Sequence, residues 1–173
     1  DPSYQHKYFV DGPLSESDAY IAAPDRIGAG FTTRGANLVL GSTGAGARSV
    51  FALDATWPLE MGARSILWET THLTANMANL GHVMSQVETG ITASGNWVAI
   101  VGNGPYGNSG KASLFILDLA TGALLKEIAT NDELANGLGG VRIVRDPNSR
   151  IIGAYAGDLQ GNVWRFNLAS MNS

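Results

Sequence analysis

The stretch Tyr155-Ala-Gly-Asp158-Leu-Gln-Gly-Asn162-Val-Trp164-Arg-Phe166-Asn167 constrains the fold more than any other, because two apolar segments flank a Gly-Asp turn without a gap. Such a run is a β-hairpin signature. The layout occurs twice upstream: residues 38–40, a Gly-rich turn and Val50-Phe51-Ala52-Leu53-Asp54; then residues 97–101, a second Gly-rich turn and Leu114-Phe115-Ile116-Leu117-Asp118. With Asp54, Asp118 and Asn167 in register, Phe51, Phe115 and Trp164 align, as do Leu53, Leu117 and Phe166. One strand of each copy thus carries a large apolar residue at every second position, the mark of a strand with a buried face. All six are expected in the core. The spacing of the copies suits four-stranded sheets of about 40–50 residues with insertions, the repeat of a propeller blade.

The expected fold class is therefore all-β: part of a β-propeller-like (quinoprotein-like) fold with about three antiparallel four-stranded blades, over residues 18–69, 81–129 and 140–168. In the first, strands are expected at 18–23, 37–40, 49–54 and 66–69, with residues 26–34 as an exposed loop. Ahead of it, residues 4–10 read as an extended leading strand closed by Asp11-Gly12-Pro13. The second takes its innermost strand from 81–92, followed by 97–101, 112–118 and 124–129. Its last two strands are joined by Asp118-Leu-Ala-Thr-Gly122, with Asp and Gly at the turn positions that favour them. Residues 141–144 and 151–155 open the third. Residues 70–80 hold only a short, uncapped helical pattern and read as loop or one helical turn. The polar residues 131–133 and the glycines at 137, 139 and 140 read as a loop of the same kind, and 168–173 as a polar tail. Propellers close with about 4–8 blades, so three make this chain one segment of a larger domain.

Twenty-two glycines without a collagen-like period, gathered between apolar runs, fit a turn-rich β protein. A chain 45% hydrophobic and 15% charged has the material for a packed core, so disorder is not expected. A net charge of −4 provides no basic field, so nucleic acid is not an expected partner. No run approaches the roughly 20 apolar residues of a membrane span, and Asp1-Pro2-Ser3 lacks the basic and apolar regions of a signal peptide. Membrane insertion is not expected. The absence of Cys removes disulfides, thiol catalysis and Cys-ligated zinc.

The candidate chemical motifs resolve into structural ones. Gly102-Asn-Gly104-Pro-Tyr-Gly107 has dinucleotide-binding spacing, but Pro105 and the following β-rich run stand where a helix would have to begin. Gly110-Lys111 is followed by Ala112 rather than the Ser or Thr of a phosphate loop. His6, His72 and His82 lack the spacing of a metal set. No Gly-x-Ser-x-Gly elbow occurs, and Asp54, Asp118 and Asp158 sit where turns use an Asp to hold backbone N–H groups. No catalytic or cofactor-binding residue is nominated, and the chain is not expected to be an enzyme. Trp68, Trp97 and Trp164 fall in strands and are expected to bridge sheets; Trp57, beside Pro58 in a loop, is the one placed for ligand stacking.

Several segments resemble the C-terminal propeller of the PilY family, the type IV pilus biogenesis and tip-associated adhesin proteins. They are His6-Lys-Tyr-Phe-Val-Asp-Gly12, Gly44-Ala-Gly46 with Val50-Phe-Ala-Leu-Asp54, Trp97-Val-Ala-Ile-Val-Gly-Asn-Gly104, Ser109-Gly-Lys-Ala112, Leu117-Asp-Leu-Ala-Thr-Gly122 and Tyr155-Ala-Gly-Asp-Leu-Gln-Gly-Asn162. The resemblance implies a modified β-propeller exported through the periplasm and outer membrane to the bacterial cell surface or pilus tip. It implies roles in pilus assembly, retraction control and adhesion, with minor pilins and the pilus machinery as partners and host or surface ligands held by loops such as 26–34 and 103–108. Many members of the family carry a calcium loop before the Tyr-Ala-Gly-Asp segment, whose positions here are Val144, Asp146, Asn148 and Ile152. Only Asp146 and Asn148 retain oxygen ligands where calcium takes about six to eight, so no metal site or other cofactor is expected and Asp146-Pro-Asn-Ser149 reads as a plain turn.

Two further readings stay open. The segments from Leu53-Asp54 to Trp68 and from Leu117 to Gly122 are similar to blades of quinone-cofactor dehydrogenases, although the vicinal Cys pair and an acidic calcium cluster are missing. The other is a stand-alone protein- or carbohydrate-binding module, because surface loops carry binding on many scaffolds.

Overall fold

The computed structural model describes residues 3–130 and 134–170. The fold is all-β, with three antiparallel sheets formed in chain order. Strands β1 (Ser15–Pro24), β2 (Phe31–Ser42), β3 (Ser49–Asp54) and β4 (Ile66–Thr71) make the first. Strands β5 (Glu88–Ile91), β6 (Trp97–Gly102), β7 (Ser113–Asp118) and β8 (Leu124–Ala129) make the second, and β9 (Leu138–Arg145), β10 (Ile151–Asp158) and β11 (Val163–Asn167) the third. Among the described residues the third sheet has three strands, not four. Each sheet is a meander, its antiparallel strands paired in chain order.

The repeat extends to backbone irregularities. The β3/β4 register slips between Ala52 and Leu53, and the β7/β8 register slips between Ile116 and Leu117, the aligned pair. Such bulges bend and twist a strand locally, so the two sheets share one curvature device.

Two apolar clusters hold the sheets face to face. Leu38, Leu40, Val50, Ala52 and Trp68 of the first sheet meet Ala99, Val101, Phe115 and Leu117 of the second. Val98, Ile100, Leu114 and Ile116, on the opposite face of the second, meet Val141, Ile151, Ala154, Ala156 and Phe166 of the third. The second sheet is thus covered on both faces, which is why β7 is apolar at consecutive positions rather than alternating.

This layering corrects one expectation. Phe115, Leu117 and Phe166 are buried and Trp164 packs half-buried against the second cluster, but Phe51 and Leu53 are only half-buried. In β3 the fully covered apolar residues are Val50 and Ala52. Phe51 and Leu53 pair with Gly41 and Val39 on the other side, a face on which no sheet lies among the described residues. Position in the repeat is shared; burial depends on having a neighbour.

Other boundaries differ too. Residues 4–10 form no strand; instead the segment is tied to the β2–β3 turn, where the Ala45 N–H donates to Asp11 Oδ1 at 2.9 Å. Residues 31–34, expected in a loop, continue β2, and the hairpin turns at residues 25–30 with Asp25 N–H donating to Gly30 O at 3.0 Å. Turns fill 72–79, as the loop reading of 70–80 expects, and short 3-10 turns appear at Pro58–Glu60 and Ala63–Ser65. The loop at 131–133 and the end of the tail, 171–173, lie outside the described residues. No helix of the described residues is long and apolar enough to cross a membrane.

Candidate functional site

Each acidic residue read as a turn former accepts hydrogen bonds from its own turn. Asp118 Oδ1 accepts from Ala120 N–H (3.1 Å), Thr121 N–H (2.8 Å) and the Thr121 hydroxyl (2.8 Å). Asp158 Oδ1 accepts from Gln160 N–H (3.0 Å) and Asn162 N–H (2.8 Å), and its Oδ2 from Trp164 Nε1 (2.7 Å), Asn162 Nδ2 (2.9 Å) and Asn136 Nδ2 (3.0 Å). Partial burial pushes the Asp158 carboxyl up, but the bonds from Trp164, Asn162 and Asn136 outweigh it and hold the group well below the ordinary carboxylate range. A carboxylate so satisfied is a poor general base at neutral pH.

The same test applies to the positions that the resemblance aligns with a calcium loop, here the β9–β10 turn. Asp146 Oδ1 accepts from Asn148 N–H and Arg150 N–H, both at 2.9 Å, and Ser149 N–H donates to Asp146 O at 2.9 Å. Val144 and Ile152 bring no oxygen in their side chains and stand half in solvent. Two oxygen-bearing side chains, one already committed to the turn, do not fit a cation that takes about six to eight oxygens. Among the described residues no group of three or more His, Cys, Asp and Glu side chains is placed to hold a metal.

The loop at 103–108, expected to be exposed, begins with a buried clasp. Asn103 Oδ1 accepts from Ser113 N–H (3.0 Å) and Leu138 N–H (2.9 Å), while its Nδ2 donates to Asn79 O (3.1 Å) and Lys111 O (2.9 Å). One amide thus joins the second sheet to the third and to the preceding loop. Gly104, at φ +67°, lets His82 O come within 2.0 Å of where a Cβ would stand, so this glycine serves backbone packing rather than a phosphate. Only Tyr106 and Asn108 of this loop are exposed. The histidines do not converge: His6 stacks edge-on with Tyr8, and His82 Nδ1 lies 2.9 Å from Gly44 O beside Tyr106.

Three of the four tryptophans bridge sheets or line a cluster: Trp68 is buried, Trp97 packs against the first cluster and Trp164 against the second. Trp57 does neither. It borders a cavity of about 240 Å³ at one end of the first sheet, between the β1–β2 turn (Pro24, Asp25, Arg26) and the β3–β4 connection (Glu60 and residues 62–65), with Asp54 at its edge. The Arg34 guanidinium carbon lies 4.2 Å from the centre of the Trp57 ring. Its Nη2 donates to Asp54 Oδ2 (2.5 Å) and Pro24 O (3.0 Å), its Nη1 to Thr56 Oγ1 (3.2 Å) and Gly35 O (3.0 Å). Arg34 Nε is buried and has no protein partner. Arg26 and Glu60 pair across the cavity mouth, and that hydrogen bond holds the Glu60 carboxyl below its usual range. Sequence reading singled out Trp57 but missed Arg26, Arg34 and Glu60, because the two arginines fell in a stretch read as loop and only the β1–β2 hairpin brings them to the β3–β4 connection.

Comparison with known proteins gives a consistent result. A sequence model of the PilY1 beta-propeller domain matches residues 3–173. The chain is 40% identical over 173 residues to the type IV pilus biogenesis factor PilY1 of Pseudomonas aeruginosa strain UCBPP-PA14, covering 96% of this chain and 14% of that protein. It is 36% identical over 180 residues to a PilY1 homolog of Xylella fastidiosa, covering 97% of this chain and 11% of the relative. The crystal structure of the P. aeruginosa PilY1 C-terminal domain superposes with a TM-score of 0.78 at 32% identity, over 92% of this chain and 30% of that one. The chain therefore spans a small part of the length of these relatives.

Proposed function

Because the chain belongs to the PilY1 β-propeller family, we propose that it is one segment of a larger propeller, with blades near residues 18–69, 81–129 and 140–168, in a type IV pilus biogenesis protein. Its role there is noncatalytic: it contributes to pilus assembly, control of retraction and surface adhesion. The observation that carries the segment reading is the half-buried Phe51 and Leu53, which repeat the positions that Phe115 and Leu117 bury against a neighbouring sheet. A further blade on that face completes the pattern.

By this reading the protein acts at the bacterial cell surface or pilus tip, reached through the periplasm and outer membrane. Its partners are minor pilins and the pilus machinery, and surface ligands meet its exposed turns. The noncatalytic reading is supported by the acids themselves: Asp54, Asp118, Asp146 and Asp158 each have an oxygen engaged by N–H groups of a turn. Catalysis needs polar groups that converge on a reacting atom. The similarity to quinone-dependent blades has a structural explanation in the Asp118 to Gly122 turn, which seats against Trp68.

Deleting the segment from the full-length protein tests this. Altered surface piliation, twitching or adherence is the expected result, together with no quinone-dependent oxidation of alcohols or sugars by the purified protein. Normal piliation and adherence after deletion, or cofactor-dependent turnover, overturns it.

A further inference from the structure

We propose that the cavity beside Trp57 is a binding subsite for one neutral sugar unit of a glycan. The inference goes beyond the pilus reading and stands without it, since it rests on the cavity's chemistry and is tested on purified protein.

The first argument is the placement of the aromatic ring. Trp57 is half-buried in a connection, outside both apolar clusters that hold the sheets, so sheet packing does not account for it. The Arg34 guanidinium against the ring is itself fixed by four acceptors, which sets the indole's orientation before any ligand arrives. Preorganisation of this kind lowers the ordering cost of binding.

Charge decides the ligand class. Asp25, Asp54 and Glu60 face the cavity with Arg26 and Arg64, while Arg34 stands behind Trp57. Three acids against three bases leave no net field. An anion meets the carboxylates at short range and a cation meets the guanidiniums, so neither is favoured. A neutral polyol is matched: carboxylates accept from its hydroxyls, guanidiniums donate to them, and the C–H face of a pyranose lies against an indole. Size limits the occupant, since 240 Å³ falls short of the roughly 300 Å³ at which pockets for drug-sized ligands begin. One ring fits, beside the paired Arg26 and Glu60.

The test uses the full-length protein and the methyl glycosides of glucose, galactose, mannose and N-acetylglucosamine, with inorganic phosphate and glucuronate as anionic probes. Saturation-transfer NMR and tryptophan fluorescence are the readouts. At least one neutral glycoside is expected to bind saturably, with a Kd of roughly millimolar order for so small a contact. Trp57→Ala weakens it by about tenfold or more and Trp57→Phe by less, a loss near 1.4 kcal/mol for each tenfold. Glu60→Gln, at an exposed side chain outside both apolar clusters, is expected to fold, weakens it several-fold and keeps the test decisive should Trp57→Ala fail to fold. No saturable binding of any glycoside, binding unchanged by Glu60→Gln, or binding of the anions alone overturns the proposal.

Discussion

The indole Nε1 of Trp68, in the first sheet, donates a 2.9 Å hydrogen bond to the carbonyl of Leu119, in the turn that closes β7 of the second. The same turn is held a second time by Thr70 Oγ1, which donates to Gly122 O at 2.7 Å. Gly122 has φ +69°, and a Cβ there would stand 2.5 Å from the Trp68 ring. One turn of the repeat therefore docks on the tryptophan of the preceding sheet, and it can do so only with a glycine at its end. Trp68→Phe strands a buried carbonyl and is expected to cost about 1–3 kcal/mol. Gly122→Ala combines a left-handed backbone with a clash, and its cost is expected to be at least about 1–3 kcal/mol. Urea denaturation checks both; a change under about 0.5 kcal/mol for Trp68→Phe, the scatter of ordinary surface substitutions, shows that the bond contributes nothing.

Phe115 and Phe51 test how the segment is completed. Phe115 is fully covered between the first and second sheets, and truncation to Ala is expected to cost about 3–5 kcal/mol. In the full-length protein Phe51→Ala is expected to cost a similar amount, about 3–5 kcal/mol, if the proposed further blade covers it there. If Phe51→Ala costs under about 1 kcal/mol in that protein while Phe115→Ala costs several, no blade lies on that face.

The repeat was legible because its copies place large apolar residues at matching positions before a shared turn. Phe115, Leu117 and Phe166 announced the core on that ground, and the Asp118 and Asp158 turns announced themselves through residues whose side chains hold backbone N–H groups. Which copy had a neighbour was not legible: the pattern at Phe51 matches that at Phe115, and only sheet packing separates them. Strand 31–34 was hidden because Gly30 and Gly35 flank it and its pairing partner, residues 21–24, is defined by register rather than by local preference. The cavity was half legible. Trp57 stood out beside Pro58, whereas Arg34 meets Asp54 and Trp57 only through hairpin geometry.

Asp158 gives the fold an acid-sensitive latch. Its carboxyl titrates lower in the folded chain than in the unfolded one, so the unfolded state takes up the proton first as pH falls. The stabilisation is complete above roughly pH 4, the ordinary Asp value, and is lost as pH drops below it towards the depressed folded value. Asp158→Asn removes the charge that Trp164, Asn162 and Asn136 address. The variant is expected to be less stable than the parent at pH 7, with the gap narrowing below about pH 4. Thermal melts from pH 7 to pH 2 report it, and a gap constant across that range removes Asp158 as the titrating group.

The β9–β10 turn makes an equally direct prediction about calcium. At the positions of the family's loop, Val144 and Ile152 carry no ligand oxygen, and Asp146 Oδ1 is occupied by Asn148 N–H and Arg150 N–H. Recruiting Asp146 to a cation would require the turn to give up hydrogen bonds that define it, with Asn148 as the sole other side-chain oxygen among the four positions. Calcium is therefore expected to leave the melting temperature of this segment unchanged. The sensitivity of the measurement is ample, because a micromolar site at millimolar calcium adds about 4 kcal/mol by mass action. A calcium-dependent rise that disappears in Asp146→Ala would show that backbone carbonyls and water complete the shell the side chains lack. A rise that persists in that variant places the ion elsewhere and leaves the turn as drawn.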